Sequence, residues 1–137
     1  MCRLVAVLLL MFVALTACNS NTLTTSTAPT AATTVTETFS GTLTKNGAAT
    51  HPFTVSGAGL LTATLTSVTP DSTIAIGLSL GTWNGSACQT VLANDKATQG
   101  TVIIGNASTV GNLCVRIYDA SGSIVAPAGY QIDVVHP

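Results

Sequence analysis

Charge is what this sequence has least of. Only 7% of its 137 residues are Asp, Glu, Lys or Arg, and Lys and Arg together number four. Without the basic patch that a phosphate backbone requires, nucleic acid is excluded as a partner. So few charges also mean that the surface must be solvated largely by Ser, Thr, Asn and Gly. Cysteine is scarce, and no CxxC occurs, which argues against a redox dithiol and the usual zinc signatures. Two histidines stand far apart with no acidic cluster beside them. No segment of convincing length places apolar residues at helical spacing, and no internal repeat marks a solenoid. Tryptophan occurs once, at Trp83.

What is present begins at the front. Met1-Cys2-Arg3 is followed by an almost wholly apolar run from Leu4 to Leu15, and then by Thr16-Ala17-Cys18. A positive start, a short apolar stretch and small residues before a cleavage point describe an export signal. The run is too short to cross a hydrocarbon core, which takes roughly 20 residues. No polar face interrupts it and no capping residue opens it, so a soluble core helix fits poorly.

Leu15-Thr16-Ala17-Cys18 resembles the bacterial lipobox. The resemblance implies that residues 1–17 are removed together with Cys2, and that the Cys18 thiol carries a diacylglycerol. Two or three acyl chains, each contributing roughly 0.8 kcal/mol per buried methylene, make such anchoring stable. The expected address is therefore the bacterial cell envelope, with the membrane as a partner through the N-terminal lipid. Asn19 follows the cysteine where Asp favours the inner membrane of Gram-negative cells, so the outer membrane is expected there.

Residues 18–36 read as a tether. From Asn19 they run NSNTLTTSTAPTAATTVT, with too little bulky apolar surface to offset chain entropy. A flexible coil of that length spans roughly 20–25 Å. Beyond it, Lys45, Lys96 and Arg116 face Glu37, Asp71, Asp95, Asp119 and Asp133, three cations against five carboxylates, a side-chain charge of −2.

Residues 37–137 are long enough for one domain with its own core. Their pattern has period two. Leu61, Ala63 and Leu65 alternate with Thr62, Thr64 and Thr66; Leu113, Val115 and Ile117 alternate with Cys114, Arg116 and Tyr118; Tyr130, Ile132 and Val134 alternate with Gln131, Asp133 and Val135. Such alternation marks strands with one buried face. Turn signals at Lys45-Asn46-Gly47, Pro70-Asp71, Asn84-Gly85, Asn94-Asp95 and Ser121-Gly122 punctuate it. The spacing predicts about eight strands, near 35–44, 50–57, 59–68, 73–81, 87–92, 98–105, 111–118 and 129–135. The fold class expected is all-β, an antiparallel sandwich of jelly-roll type. Cys88 and Cys114, the cysteines left after export, read as one structural disulfide.

Phe39-Ser40-Gly41-Thr42-Leu43, His51-Pro52-Phe53-Thr54-Val55 and Leu113-Cys114-Val115-Arg116-Ile117-Tyr118-Asp119 resemble the bacterial pre-peptidase C-terminal domain. That resemblance spans most of residues 37–137 and implies a jelly-roll-like sandwich with an accessory or binding role and no catalysis. No peptidase domain is attached here, which departs from the usual setting. Collagen-binding relatives hold calcium through several acidic residues near the first strand. Glu37 stands nearly alone at that place, so no metal or other cofactor is expected.

Several motifs compete with this reading. Gly77-Leu78-Ser79-Leu80-Gly81 matches G-x-S-x-G, and Asp95, Asp119 or Asp133 followed by His136 gives the chain order of a serine hydrolase. That motif needs a strand, a strained turn and a helix, whereas Ser79 sits inside an alternating run followed by a turn. His51 and His136 read as exposed strand-end residues. Asp119-Ala120-Ser121-Gly122-Ser123 has the look of a calcium loop without its further ligands and reads as a hairpin turn. Thr62, Thr64 and Thr66 form a ladder on one sheet face. Trp83, if exposed, stacks on a sugar ring or anchors a protein contact; if buried, it plugs one end of the sandwich. The leading expectation is a surface-exposed, non-enzymatic module that contacts extracellular protein or polysaccharide. The alternatives are a purely structural envelope component and a serine hydrolase using Ser79.

Overall fold

The computed structural model describes residues 33–137. These form β1 (Val35–Leu43), β2 (Ala48–Val55), β3 (Gly59–Thr69), β4 (Ile76–Trp83), β5 (Cys88–Ala97), β6 (Val102–Ala107), β7 (Gly111–Tyr118) and β8 (Ala128–His136), with no helix among the described residues. Two four-stranded sheets result, ordered β1-β8-β3-β6 and β2-β7-β4-β5, with every pairing antiparallel. This is a jelly-roll sandwich. Only the β4–β5 hairpin stays within one sheet; every other connection passes from one sheet to the other.

Alternation decides which face is buried. On β3, Leu61, Ala63 and Leu65 turn inward while Thr62, Thr64 and Thr66 stay half-buried on the outer face. On β8, Tyr130, Ile132 and Val134 turn inward, and on the opposite sheet Leu78, Leu80, Val115 and Ile117 meet them. Each such side chain, taken fully out of water, contributes about 1.5–3 kcal/mol. β4 is the strand buried on both faces: Gly77, Ser79 and Gly81 are inaccessible on its outer side. The Tyr118 ring lies where a side chain at position 77 would project, so only glycine allows that covering.

The strands appear in the expected order, with differences at some of their bounds. β5 continues through Asn94-Asp95, which the composition marks as a turn. There the Asn94 carboxamide accepts the Lys96 N–H at 2.9 Å, and the β4–β5 register slips between Ile76 and Leu78. The local turn chemistry is real, but it is spent on a bulge within the strand. β4 starts at Ile76, not 73, because the Asp71 carboxylate accepts both the N–H and the hydroxyl of Thr73 and holds that stretch as a turn. β1 opens at Val35, as the spacing predicts, and the last two residues of the stretch read as a tether pair with His136 and Val135. The signal segment, Cys18 and most of the tether lie outside the described residues.

Cys88 and Cys114 are joined, with Cα atoms 5.8 Å apart. Cys114 lies opposite Gly81 on β4, and Cys88 opposite Trp83, so the bridge passes over β4 and ties the edge strand β5 to β7. The chain positions it links are 26 apart, a loop whose closure contributes about 3–4 kcal/mol in the chain-entropy account. Reduction is therefore expected to lower the melting temperature by many degrees in calorimetry. An unchanged curve after thiol titration has verified reduction removes that role.

Candidate functional site

A sandwich has two open sides, and this one treats them differently. On one side the edge strands are β1 and β2; on the other they are β6 and β5. Nearly the whole of β5, from Gln89 to Lys96, is exposed, so no strand of the other sheet covers it. The gap between β5 and β6 forms a groove of about 320 Å³, walled by Leu61, Leu80, Val91, Leu92, Val110 and Leu113. Its floor is Gly105 of β6. A side chain added there would meet the Leu92, Leu80 and Leu61 methyl groups at 3.3–3.8 Å. Thr82, Asn106, Ser108 and Asn112 supply polar groups around the walls.

No Asp, Glu, Lys, Arg, His or Cys lines this groove. It can receive an apolar group and orient it with hydroxyl and amide hydrogen bonds. It has no group with which to move a proton at neutral pH. The sequence carries a faint signal for it: Val91-Leu92 breaks the alternation of β5, and Val110 is an apolar residue in a loop between strands. Neither reveals that the sheets part just there.

The other side is closed by side chains that lie apart in the sequence. Phe39 of β1 stacks on His51 of β2 at 4.9 Å between centroids, and the His51 Nε2 is hydrogen-bonded to the Tyr130 hydroxyl at 2.9 Å. Phe53 packs against His136 at 5.1 Å. His136 is only 3% exposed; its Nε2 lies 3.0 Å from the Glu37 carboxylate and its Nδ1 lies 3.0 Å from the Pro137 carbonyl. Neither histidine is the exposed strand-end residue that sequence position suggests. Each faces inward from its strand because it alternates with the solvent side, and each meets a partner from another strand.

The remaining sequence candidates are dispersed. Ser79 lies mid-strand on β4, fully buried, and its hydroxyl has no hydrogen-bond partner. Its cross-strand neighbours are Arg116 and Ala93. Asp95 accepts the Tyr118 hydroxyl, Asp133 accepts the Thr38 hydroxyl at 2.8 Å, and Asp119 accepts backbone N–H groups of Asn46, Ser123 and Ile124. The structure therefore does not assemble Ser79, His136 and an aspartate into one constellation. Desolvation pushes the Asp119 carboxyl up, but those backbone donors outweigh it and hold the group below the ordinary carboxylate value. The stretch 119–123 is a turn, with Gly122 at φ 67°, but it is not the expected hairpin, because it carries the chain from β7 in one sheet toward β8 in the other. Among the described residues no cluster of three or more His, Cys, Asp or Glu side chains is placed to hold a metal ion.

Trp83 ends β4, half-buried, and does not line the groove. The turn after it is set by the Asn84 carboxamide, which accepts N–H groups of Ser86 and Ala87 at 3.0 and 2.8 Å. Cys18 lies outside the described residues. Comparison with family models and with curated proteins returns no match.

Burial holds the His51 imidazole below the ordinary histidine value of 6.5. The unfolded chain thus binds more protons than the folded one near that pH, so stability is present above about 6.5 and falls as pH drops below it. The melting temperature is expected to decline from about pH 7 to about pH 5 and to level off once His51 is protonated in both states. His51→Gln is expected to flatten the decline. An equally steep fall in that variant assigns the effect to other groups.

Proposed function

We propose that this chain is an exported lipoprotein, held in the bacterial envelope through Cys18, whose jelly roll is a non-catalytic accessory module. One observation carries the binding part of the reading: the groove between β5 and β6 is apolar and is lined by no Asp, Glu, Lys, Arg, His or Cys. Catalysis at pH 7 needs a group that exchanges a proton or attacks a substrate, and the groove offers only threonine, serine and asparagine. Ser79, the one nucleophile in a hydrolase-like motif, is buried on a different face from the groove. The jelly-roll architecture agrees with the resemblance to pre-peptidase C-terminal domains, which implies an accessory role.

The ligand class follows from the walls. A polysaccharide hydroxyl entering between Leu80, Leu92 and Leu113 loses more hydrogen bonds to water than the few polar groups there can replace. An apolar side chain of an extracellular protein suits the groove better, seated between methyl groups and held at the rim by Asn106 and Asn112.

Two measurements test the reading separately. Intact mass of the protein extracted from bacterial membranes with detergent is expected to match residues 18–137 plus acyl chains, less two hydrogens; an unlipidated mass removes the anchor. For the groove, Gly105→Val fills the floor at an ordinary backbone conformation, with its Cβ 3.3 Å from a Leu92 methyl. It is expected to abolish amide shift changes at Leu61, Leu92 and Leu113 when a leucine-rich peptide is titrated, while the melting temperature stays within a few degrees. Unaltered binding places the site elsewhere, and hydrolysis that is lost in Ser79→Ala overturns the non-catalytic reading.

A further inference from the structure

The strand registers place several distant segments at one end of the sandwich. Val35 at the start of β1 pairs with His136, Thr62 with Val135, and Leu60 with Asn106, so the beginnings of β1 and β3 adjoin the ends of β6 and β8. The Ser56 N–H donates to the Pro137 carbonyl at 3.0 Å, which brings the end of β2 to the same place. Val55 pairs with Gly111 and Thr82 with Leu113, so the start of β7, the end of β4 and Trp83 belong there too.

The segments gathered at this end are 33–36, 55–62, 82–90, 104–113 and 135–137, and none contains Asp, Glu, Lys or Arg. Lys45, Asp71, Lys96 and Asp119 all lie in segments toward the opposite end. The nearest carboxylate, Glu37, is engaged with His136. The charge-free end also carries large apolar side chains that the fold leaves uncovered: Val35 is 49% exposed, Leu60 61%, Val110 61% and Ile104 62%. In a chain with so few charges, an end without any carries little weight by itself, but one that also exposes four aliphatic side chains is an unusual surface for water.

The chain enters the domain at this end. Whatever holds residue 18 is therefore connected to the uncharged, apolar end by a short stretch, residues 19–34. We infer that this end rests against the lipid surface in which Cys18 is anchored, with Leu60, Val110, Ile104 and Val35 at the headgroup boundary and Trp83 beside them. The inference rests on the lipoprotein reading above and adds an orientation to it. Aliphatic side chains flanked by threonine, asparagine and one tryptophan suit the zone between headgroups and acyl chains. With no lysine or arginine at this end, the contact does not depend on anionic lipid and is insensitive to salt. The charged loops then face away from the membrane.

Trp83 is the reporter, since the chain has no other tryptophan. The full acylated protein, its Cys18 lipidation verified by mass, is reconstituted in phosphatidylcholine vesicles whose acyl chains carry bromine. Trp83 emission is expected to be quenched there and shielded from acrylamide, compared with the Cys18→Ser protein in buffer. The double variant Leu60→Asp and Val110→Asp, altered at two exposed positions, is expected to keep its melting temperature and its anchor while losing most of the quenching. An acylated protein whose Trp83 is unquenched, and as open to acrylamide on vesicles as in buffer, overturns the inference. So does a concentration-dependent dimer in buffer that shields Trp83 and dissociates in the double variant, because the end then meets a second copy. If the mass shows no acyl chains, the anchor reading has failed by itself. The unmodified protein is then mixed with the same vesicles: quenching that the double variant loses still supports a lipid-facing end, and its absence overturns it.

Discussion

Leu78 and Leu80 of β4, Val115 and Ile117 of β7, and the inward rows of β3 and β8 meet across the interior, and the two sheets have little else to hold them face to face. Aliphatic contact is non-directional, so it sets no position more finely than shape allows. Directional features are confined to the margins: backbone ladders within each sheet, the Asp119 carboxylate organising the turn before β8, and the disulfide over β4. The central strands β3, β4, β7 and β8 are the ones on which these contacts depend, and the four edge strands are fastened to them in different ways.

That difference gives the molecule its asymmetry. At the β1–β2 side, the two phenylalanines of the described residues and both histidines fill the opening, with Tyr130 and Glu37 as hydrogen-bond partners. At the β5–β6 side nothing comparable is present, and the sheets part to leave an apolar groove. Exposed edge strands invite pairing with other chains. β5 answers that hazard with two bulges, with Asp95 and Lys96, and with a covalent bridge at its start. One side of the sandwich is thus spent on closure, while the other remains available for contact.

The architecture was largely legible because strand alternation is a local signal: Leu61, Ala63 and Leu65 announce their face without reference to any other segment. The disulfide followed from reading Cys2 and Cys18 as part of an export signal, which leaves Cys88 and Cys114 as a pair. Where the reading missed, the cause was a partner far along the chain. Asn94-Asp95 satisfies the local rule for a turn, and only its pairing with β4 makes it part of a strand. His51 and His136 look like isolated polar residues until the fold brings Tyr130 and Glu37 to them. The groove was illegible for the same reason, since its walls come from β3, β4, β5, β6 and β7 and its existence depends on how far two sheet edges diverge. Gly105 at its floor carries no mark that separates it from any other strand glycine.

β1 begins where the chain enters and runs its full length beside β8, in register over nine consecutive positions. A pull delivered through the leading segment, against a domain held at its far end, acts along the axis of β1. The hydrogen bonds to β8 then share the load side by side, as in a lap joint, and must yield together. Pulled instead from the adjoining end of β8 with β1 fixed, the same ladder would open one rung at a time. Load carried through the leading segment therefore meets this sandwich along its mechanically strong direction.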